Sequence, residues 1–375
     1  MPITPETARS LRRELVRWFA RARRDLPWRR TRDPYAVWIS EAMLQQTRVE
    51  VVIPYYLRFL ERFPDVAVLA NAPEEEVLAA WSGLGYYRRA KSLQLAARAV
   101  LERHGGRFPS DRDALLALPG IGPYTAGAIA SIAFDRSEPL VDGNVVRVLA
   151  RLFGRDVAPD SAAGRAEFWT LARELVPGKG AGDWNQALME LGALVCTPRD
   201  PACVRCPLSD SCEAFRLGRV AELPRKKSRP AAVPVELLVL AASDGERWLL
   251  ERRPPEGRMA GMWQLPTVEL AASGGLLFPT RKPRSLREGD TLCTIRHTIT
   301  CHRIRATVKR AVLTAAVPAP PLAWVPRAAL AEMALTGMTR KCLTAILAPP
   351  GKRSPARSPA PSNRSSPSPP KRPRA

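Results

Sequence analysis

Four cysteines lie within a short segment of the chain and could together hold a metal centre. Cys196, Cys203, Cys206 and Cys212 have the spacing C-x6-C-x2-C-x5-C and follow a helical-looking stretch from Trp184 to Val195. Four thiolates from one short loop suit a 4Fe–4S cluster. A structural zinc site usually draws on two Cys-x-x-Cys pairs, and only Cys203 and Cys206 form such a pair here. The spacing therefore favours an iron–sulfur cluster over zinc and over unrelated thiols.

Glu41 lies in a stretch that is typical of an amphipathic helix. Val37, Glu41, Leu44 and Arg48 follow i, i+4, i+7, i+11 spacing and would share one helix face. A lone carboxyl on an apolar stripe tends to hold its proton, because burial disfavours the charged form. A salt bridge to Arg48 or to another arginine is the alternative that the spacing leaves open.

Asp142 ends an apolar run and comes just before a helical stretch from Val145 to Phe153. Asp142 or Asn144 must lie near the N-terminus of that helix, where the helix dipole favours the ionised form. Plain helix capping is the alternative, since Asp and Asn are favoured N-caps. Together, Glu41 and Asp142 offer one acid and one anion, which is the pair that glycoside hydrolysis needs.

A glycine-containing turn leads into an apolar helix at Leu118 to Gly127, with the sequence LPGIGPYTAG. Bare backbone amides at the start of a helix can face a phosphate directly. An ordinary helix-turn-helix corner, in which Gly120 and Gly122 serve only for positive φ, is the alternative. The position of this turn just before the Asp142 motif favours the phosphate-binding interpretation.

The composition indicates a polyanionic partner. The 375 residues carry 58 Lys or Arg against 36 Asp or Glu, which gives a formal charge of +22 and a pI near 10.6. Solubility does not require such an excess, so nucleic acid is the leading candidate. No apolar run reaches transmembrane length, and the N-terminus lacks a signal-peptide core. We therefore expect a cytoplasmic protein, associated with a bacterial nucleoid and not with a membrane.

Composition and periodicity divide the chain into two folded parts and a tail. Residues 1–222 have helical patterns and are predicted to be all-α. Proline and basic residues interrupt all periodicity at 223–234, which we predict to be a linker. Residues 349–375 are predicted to be a disordered basic tail. Because this tail holds seven Lys or Arg and no acid, the rest of the chain keeps +15 of the +22.

Residues 235–348 are predicted to form an α+β domain. Val235 to Ala242 and Arg247 to Arg252 flank Asp244-Gly245, which is a strong signal for a β-hairpin. The stretch from His302 to Arg310 alternates basic and apolar residues, as a half-buried strand does. Leu330 to Leu347 is predicted to be a helix.

From about Leu11 to Leu347 the chain resembles the MutY-type adenine DNA glycosylases of the endonuclease III helix-hairpin-helix superfamily. The resemblance rests on five motifs that occur in order along the chain. They are WISEAMLQQT at Trp38–Thr47, GLGYY at Gly83–Tyr87, the Leu118 turn, VDGN at Val141–Asn144 and the four-cysteine loop. Five ordered motifs are very improbable by chance.

The resemblance implies removal of adenine mispaired with 8-oxoguanine or guanine in double-stranded DNA, after the base leaves the helix stack. It implies that Glu41 protonates the departing adenine and that Asp142 stabilises the sugar cation or traps it covalently, with Tyr124 and Asn144 beside the sugar. The residues implied around the extruded adenine are Trp28, Arg29, Leu44 and Gln186. Those implied in DNA binding are Gln46, Leu84, Tyr86, Gly120 and Gly122, of which Gln46 and Tyr86 fill or wedge the emptied stack.

The resemblance also predicts which chemistry is missing. In the bifunctional relatives that nick DNA, a lysine at the place of Tyr124 forms a Schiff base with the opened sugar, which tyrosine cannot do. The second domain resembles the MutT-like, Nudix-related module that reads 8-oxoguanine, but it lacks a glutamate-rich Nudix box. We therefore expect a monofunctional, monomeric glycosylase whose second domain recognises the lesion and does not hydrolyse nucleotides.

The lesion-reading loop departs from the family pattern His-x-Phe-Ser-His. Here it reads HTITCH from His297 to His302, so that Ile299, Thr300 and Cys301 replace Phe, Ser and the second His. Thr300 can still donate a hydrogen bond. His297 and Thr300 are the candidates for reading 8-oxoguanine, and His302 joins them if the strand register slips by one.

Three other functions stay open at the level of sequence. An iron–sulfur DNA-binding protein without chemistry would use Asp142 only as a helix cap. A bifunctional pyrimidine-lesion glycosylase and lyase would need the missing lysine. A Nudix-type nucleotide hydrolase would need the missing metal ligands.

Overall fold

The computed structural model describes residues 3–225, 231–272, 278–279 and 282–347, so the predicted tail and part of the predicted linker lie outside the described residues. The predicted helical character of the first domain is confirmed. Its helices are α1 (Pro5–Ala22), α2 (Pro34–Leu44), α3 (Val49–Arg62), α4 (Val66–Asn71), α5 (Glu74–Trp81), α6 (Arg88–His104), α7 (Arg112–Leu116), α8 (Pro123–Ala128), α9 (Gly143–Leu152), α10 (Ala162–Leu175), α11 (Ala181–Leu194) and α12 (Glu213–Arg216).

Short polar residues begin the helices that matter most for the site. The Asp33 carboxylate accepts hydrogen bonds from two backbone amides at the start of α2, and Asp142 caps α9 by accepting from the backbone amide of Val145. α2 ends at Leu44, because the next residues leave the helical region and Gln46 has a φ of +58°. The predicted continuation of this helix is therefore wrong, and Arg48 is the residue before α3 instead of a neighbour of Glu41 on one helix face.

Two apolar cores build the helical domain. One core packs α2 to α7 together around residues such as Phe59 and Trp81. The other packs α1 against α9, α10 and α11, with Trp184 fully buried at its centre. The segment formed by α8 and the π-helical turn Ile129–Ala133 contributes to both cores. The two cores therefore meet at this segment, where α2 contacts α8.

The second domain is mixed, as predicted. Its elements are β1 (Val233–Ala242), β2 (Arg247–Arg252), β3 (Trp263–Gln264), β4 (Thr267–Ala272), β5 (Leu286–Ile299), β6 (His302–Leu313), β7 (Leu322–Pro326) and α13 (Gly337–Leu347). One sheet has the strand order β4-β1-β6-β5 and the other has β3-β2-β7. Burial along β6 alternates from His302 onward, which confirms the predicted half-buried strand. Only the β1–β6 pair is parallel among these ladders.

Two predictions for this domain are wrong in part. A turn does occur at Asp244-Gly245, but β1 and β2 belong to different sheets and share only the bridge between Ser243 and Trp248. The ladders with β4 and β6 occupy both edges of β1, so that neither edge is left for β2. The last helix begins at Gly337 instead of Leu330, because a 3-10 turn at Arg327–Ala331 precedes it.

The two domains contact each other at the loop that precedes Gly83. The Ser82 hydroxyl donates to the Leu335 carbonyl at 2.7 Å and accepts from Arg340 Nε at 2.9 Å. Met262 and Ala334 of the second domain are buried in the first apolar core of the helical domain.

None of the helices within the described ranges is long and apolar enough to cross a membrane. The expected nucleoid location stays a prediction.

Arg89, near the start of α6, forms hydrogen bonds with the backbone of two loops. Its guanidinium lies over the rings of Trp81 and Tyr86, and burial lowers its pKa to about 10. The two terminal nitrogens donate to five backbone carbonyls at 2.7 to 3.2 Å. These carbonyls belong to Ala42, Met43 and Gln45 at the end of α2, and to Leu84 and Gly85. The loops that carry Gln46 and Tyr86 are thus held by one side chain.

Arg89→Lys is expected to lower the free energy of unfolding by about 2 kcal/mol, because a single ammonium cannot replace a planar fork that serves five carbonyls. Urea unfolding of the variant and the parent measures this difference. Arg88→Lys, at the exposed neighbouring position, should stay within about 0.5 kcal/mol of the parent. Equal midpoints for the two variants would contradict the role given to Arg89.

Candidate active site

Glu41 and Tyr124 meet where the two cores of the helical domain face each other. Glu41 lies on α2 with only 5% of its surface exposed, and its Oε2 accepts a hydrogen bond from the Tyr124 hydroxyl at 2.5 Å. Tyr124 is in the first turn of α8, and its hydroxyl also lies 3.4 Å from Met189 Sδ on α11. The carboxyl group therefore faces a phenol, and no salt bridge to an arginine forms at Glu41 within the described residues.

Burial raises the pKa of Glu41 to about 7. The hydrogen bond from Tyr124 and the charge of Arg29 act in the opposite direction, while the nearby Asp142 adds to the rise. Burial also raises the pKa of Tyr124 well above its usual value, so that its hydroxyl stays a neutral donor. The prediction that Glu41 tends to hold its proton near neutral pH agrees with this environment.

Asp142 is the N-cap of α9 and is fixed by two hydrogen bonds. Its Oδ1 accepts from the Val145 amide at 2.7 Å and its Oδ2 from Asn144 Nδ2 at 2.9 Å. Burial raises the pKa of Asp142 above its ordinary value, and the expectation that the helix terminus keeps this carboxyl ionised stays a prediction. The hydrogen bonds from Val145 and Asn144 counteract that rise by favouring the anion.

Asn144 also connects the site to the cysteine loop through Arg147. The Asn144 side-chain carbonyl accepts from Arg147 Nη2 at 2.8 Å, and the same guanidinium donates to the backbone carbonyls of Gly192 and Cys196 at 2.6 Å each. One turn further along α9, Arg151 Nη1 lies 3.4 Å from Cys196 Sγ. Both arginines were missed at the level of sequence, because the packing of α9 against α11 decides what they contact.

These residues line one open cavity of about 960 Å³ at the junction of the two cores. Its size is within the range of ligand pockets, and it would accommodate an extruded nucleotide. The sequence-predicted residues that line it are Glu41, Tyr124, Asp142, Asn144, Trp28, Arg29, Leu44, Gln186, Gln46, Gly120 and Gly122. The chain thus brings together residues that are up to 158 positions apart, from Trp28 to Gln186.

The same cavity has an ionic wall that the sequence analysis did not identify. Glu190 on α11 is fully buried and binds both Arg24 and Arg29, with N to O distances of 2.7 and 2.9 Å. Arg29 also lies 5.3 Å from the ring centroid of Phe19. A lone carboxyl in the otherwise apolar stretch ALMELG is the same signal that pointed to Glu41, and it could have revealed Glu190.

Gln46 and Tyr86 are exposed and have backbone φ angles of +58° and +48°. A positive φ is uncommon in residues other than glycine and often marks a functional loop. Gly120 has a φ of +74°, and a Cβ there would lie 2.5 Å from that of Ser92, so this turn needs glycine. Leu84 differs from expectation, because it is only 6% exposed and packs in the core, which leaves it no surface for DNA.

The four cysteines of the predicted cluster surround a separate pocket beside α9 and α12. Each is a half-buried free thiol, and burial raises the pKa of Cys206 to about 12. Within the ranges given above, no three Cys, His, Asp or Glu side chains form a group that could hold a single metal ion. The other lining residues are Arg151, Val195, Ser209, Phe215 and Val220.

The three candidate lesion-reading residues lie at or near the turn between β5 and β6. Thr300 is exposed at the tip with a φ of +53°. His297 is half-buried on β5, and its Nδ1 has no hydrogen-bond partner in the described structure. His302 is buried, with its Nδ1 lying 3.2 Å from the Ile299 carbonyl. The β5–β6 ladder pairs Ile299 with His302 directly, so the register does not present His302 to the surface.

Comparison with known proteins agrees with this fold. Residues 39–174 match the model of the HhH-GPD superfamily of base excision DNA repair proteins, and residues 237–345 match that of the NUDIX domain. A thermostable thymine-DNA glycosylase superposes with a TM-score of 0.53 at 34% identity, over 56% of this chain and 98% of that one. A trapped endonuclease III–DNA covalent intermediate superposes with a TM-score of 0.50 at 25% identity, over 58% and 99%. The fold of the helical domain is that of the helix-hairpin-helix DNA glycosylases.

Sequence relatives define the family more narrowly. The adenine DNA glycosylase of Schizosaccharomyces pombe is 33% identical over 69% of each chain. Those of Rattus norvegicus and Homo sapiens are 41% and 40% identical over 71% and 69% of this chain. The chain belongs to the adenine DNA glycosylase family. It spans 61% and 57% of the length of the rat and human relatives.

Glu41→Gln is expected to stabilise the protein relative to the parent as pH rises. Between about pH 4.5 and pH 7 the unfolded chain has released the Glu41 proton while the folded chain still holds it, so the parent loses stability with rising pH. This loss amounts to about 3 kcal/mol and is absent from the glutamine variant. Urea unfolding at about pH 4 and about pH 8 measures it. The exposed Glu102→Gln change is the control, and parallel stability profiles for all three proteins would contradict the prediction.

Proposed function

We propose that this protein is a monofunctional DNA glycosylase that removes adenine mispaired with 8-oxoguanine or guanine, acting as a monomer on double-stranded DNA. The observation that carries the proposal is the pair of carboxyl groups in one cavity, with Glu41 biased toward its protonated form and Asp142 fixed as a helix cap. The names of the relatives from rat, human and fission yeast support adenine as the base. The net charge of +22 supports DNA as the partner.

In this proposal the target nucleotide leaves the duplex and enters the cavity. Glu41 gives its proton to the departing adenine as the bond between base and sugar breaks and the base keeps the electron pair. Asp142 stabilises the positive charge left on the sugar, or traps it covalently, before water adds to the same carbon. Tyr124 holds Glu41 by its hydroxyl, and Asn144 holds Asp142 by its amide.

The side chains that line the cavity are suited to binding a flat base. Trp28 and Leu44 provide apolar surface, while Arg29 and Gln186 provide hydrogen-bond donors. Gln46 and Tyr86, on their strained loops, are proposed to occupy the space that the base leaves in the stack. Gly120 and Gly122 would bring backbone amides close to the phosphates.

The second domain is proposed to read 8-oxoguanine opposite the adenine through His297 and Thr300. Thr300 is exposed at the hairpin tip, where its hydroxyl could reach a base edge. His302 is not retained in this role, since it is buried beneath the turn. No nucleotide hydrolysis is proposed for this domain, because a glutamate-rich Nudix box is lacking from the sequence.

We further propose that Cys196, Cys203, Cys206 and Cys212 hold a 4Fe–4S cluster. Iron–sulfur clusters are typical of the endonuclease III-like fold family. The four thiols line one pocket, and four thiolates from one short loop suit a multi-atom cluster. The cluster would supply a rigid cross-link for a loop that contains little regular secondary structure.

The function is tested with duplexes that contain A opposite 8-oxoguanine, A opposite G, or T opposite G, assayed for base release before and after alkali. The parent should release adenine from the first two, and strand breaks should need alkali. Glu41→Gln and Asp142→Asn should each lower the single-turnover rate by at least about a hundredfold. Full activity in both variants would contradict the proposal. Borohydride should trap no stoichiometric covalent complex of the parent with DNA, because Tyr124 cannot form a Schiff base.

The cluster is tested by metal analysis of protein purified without oxygen. The parent should contain about four iron and about four acid-labile sulfide per chain. Cys203→Ser should lose most of both, whereas Cys301→Ser, a change at a half-buried cysteine outside the four, should keep them. One zinc per chain and no sulfide in the parent would refute the cluster in favour of the zinc alternative.

A further inference from the structure

Glu190 makes five hydrogen bonds although none of its side chain is exposed. Its carboxylate accepts from the Arg24 backbone amide at 2.9 Å, from Arg24 Nε at 3.0 Å and from Arg24 Nη2 at 2.7 Å. It also accepts from both terminal nitrogens of Arg29 at 2.9 Å. A bidentate contact to each of two arginines fixes the planes of both guanidinium groups.

This cluster lines the same cavity as Glu41. Two arginines and one glutamate leave a net charge of +1 on that wall. Each additional positive charge near Glu41 would favour its anion and release the proton. Removing the charge of Glu190 would raise the net charge of the wall to +2.

We propose that Glu190 is a positioning residue that fixes Arg24 and Arg29 on the cavity wall and cancels one of their charges, so that Glu41 keeps its proton near neutral pH. The proposal rests on the function proposed above, in which that proton is given to adenine. The low pKa of Glu190, about 2, which the hydrogen bonds from Arg29 and Arg24 produce against the effect of burial, agrees with a permanent anion.

Other charged or titratable groups that face Glu41 are already engaged or lie at the exposed mouth of the cavity. Tyr124 on α8 donates to Glu41 itself, and Asp142 at the start of α9 is bound by Asn144 and Val145. Arg48 and Glu50, at the start of α3, are exposed, where solvent screens their charge. The charge of Asp142 also favours the protonated form of Glu41, whereas Glu190 is the carboxylate that binds Arg24 and Arg29 directly and so offsets their charge.

The test is the pH dependence of single-turnover adenine release by Glu190→Gln. An added positive charge should lower the pKa of Glu41 by about one unit, because a close opposite charge favours the anion. The variant should then be about twofold slower than the parent at about pH 6 and about tenfold slower at about pH 8, where less of its Glu41 is protonated. A purely structural role would reduce the rate by the same factor at both pH values.

Two further variants test the charge of the wall, and the first of them does not rely on Glu190→Gln. Arg24→Gln makes the wall neutral and should shift the fall in rate to higher pH. The double variant Arg24→Gln with Glu190→Gln restores +1 and should return the profile toward that of the parent. Circular dichroism and duplex binding identify variants that fail to fold. If Glu190→Gln is one of them, the shift in the pH profile of Arg24→Gln tests the proposal.

The outcomes separate this inference from the proposed function. If the pH profiles of adenine release by Glu190→Gln and Arg24→Gln shift in opposite directions, the inference is supported. An unchanged profile, or an equal loss of rate at every pH, overturns it while leaving the glycosylase function intact. A parent that releases no adenine from any duplex refutes the proposed function, and this inference with it.

Discussion

A carboxylic acid that is buried where two apolar cores meet needs a fixed polar partner, and for Glu41 that partner is the hydroxyl of Tyr124. The hydrogen bond joins α2, which belongs to one core, to α8 at the start of the other. Both helices must be placed accurately for it to form. Asp33 holds the beginning of α2, Arg89 holds its end, and the turn before Tyr124 depends on a glycine with positive φ. The protonation of one side chain thus depends on the packing of the helical domain as a whole.

Arginines connect this site to more distant parts of the chain. On α9, the carboxylate of Asp142 occupies the N-terminus while Arg147 and Arg151, further along the same helix, contact the cysteine loop. On α11, Glu190 forms salt bridges with Arg24 and Arg29, and all three residues line the cavity. In each case a rigid guanidinium donates to several acceptors at once, which fixes elements that are far apart in sequence. Part of the arginine excess therefore has an internal, structural use.

The second domain is attached close to a loop that is proposed to enter the DNA. Leu335 and Arg340 hold Ser82, and the Tyr55 hydroxyl donates to the Ser82 carbonyl at 3.0 Å. Four residues later, Tyr86 is exposed with positive φ. The same loop is held from the other side by Arg89. The second domain therefore contacts the segment that leads directly into the loop of Tyr86.

Local patterns in the sequence determined the helix caps at Asp33 and Asp142, the spacing of the four cysteines and the alternation along β6, because such features depend on residues a few positions apart. The tertiary structure decided the rest. It separated β1 from β2, placed Leu84 in the core, ended α2 before Arg48 and buried Asp142, which raises the pKa of that carboxyl. It also gave Arg89 and Glu190 their partners, up to 166 positions away in the case of Glu190. Strand pairing, desolvation and ion-pair formation depend on which distant segments meet, and no short stretch of sequence specifies that.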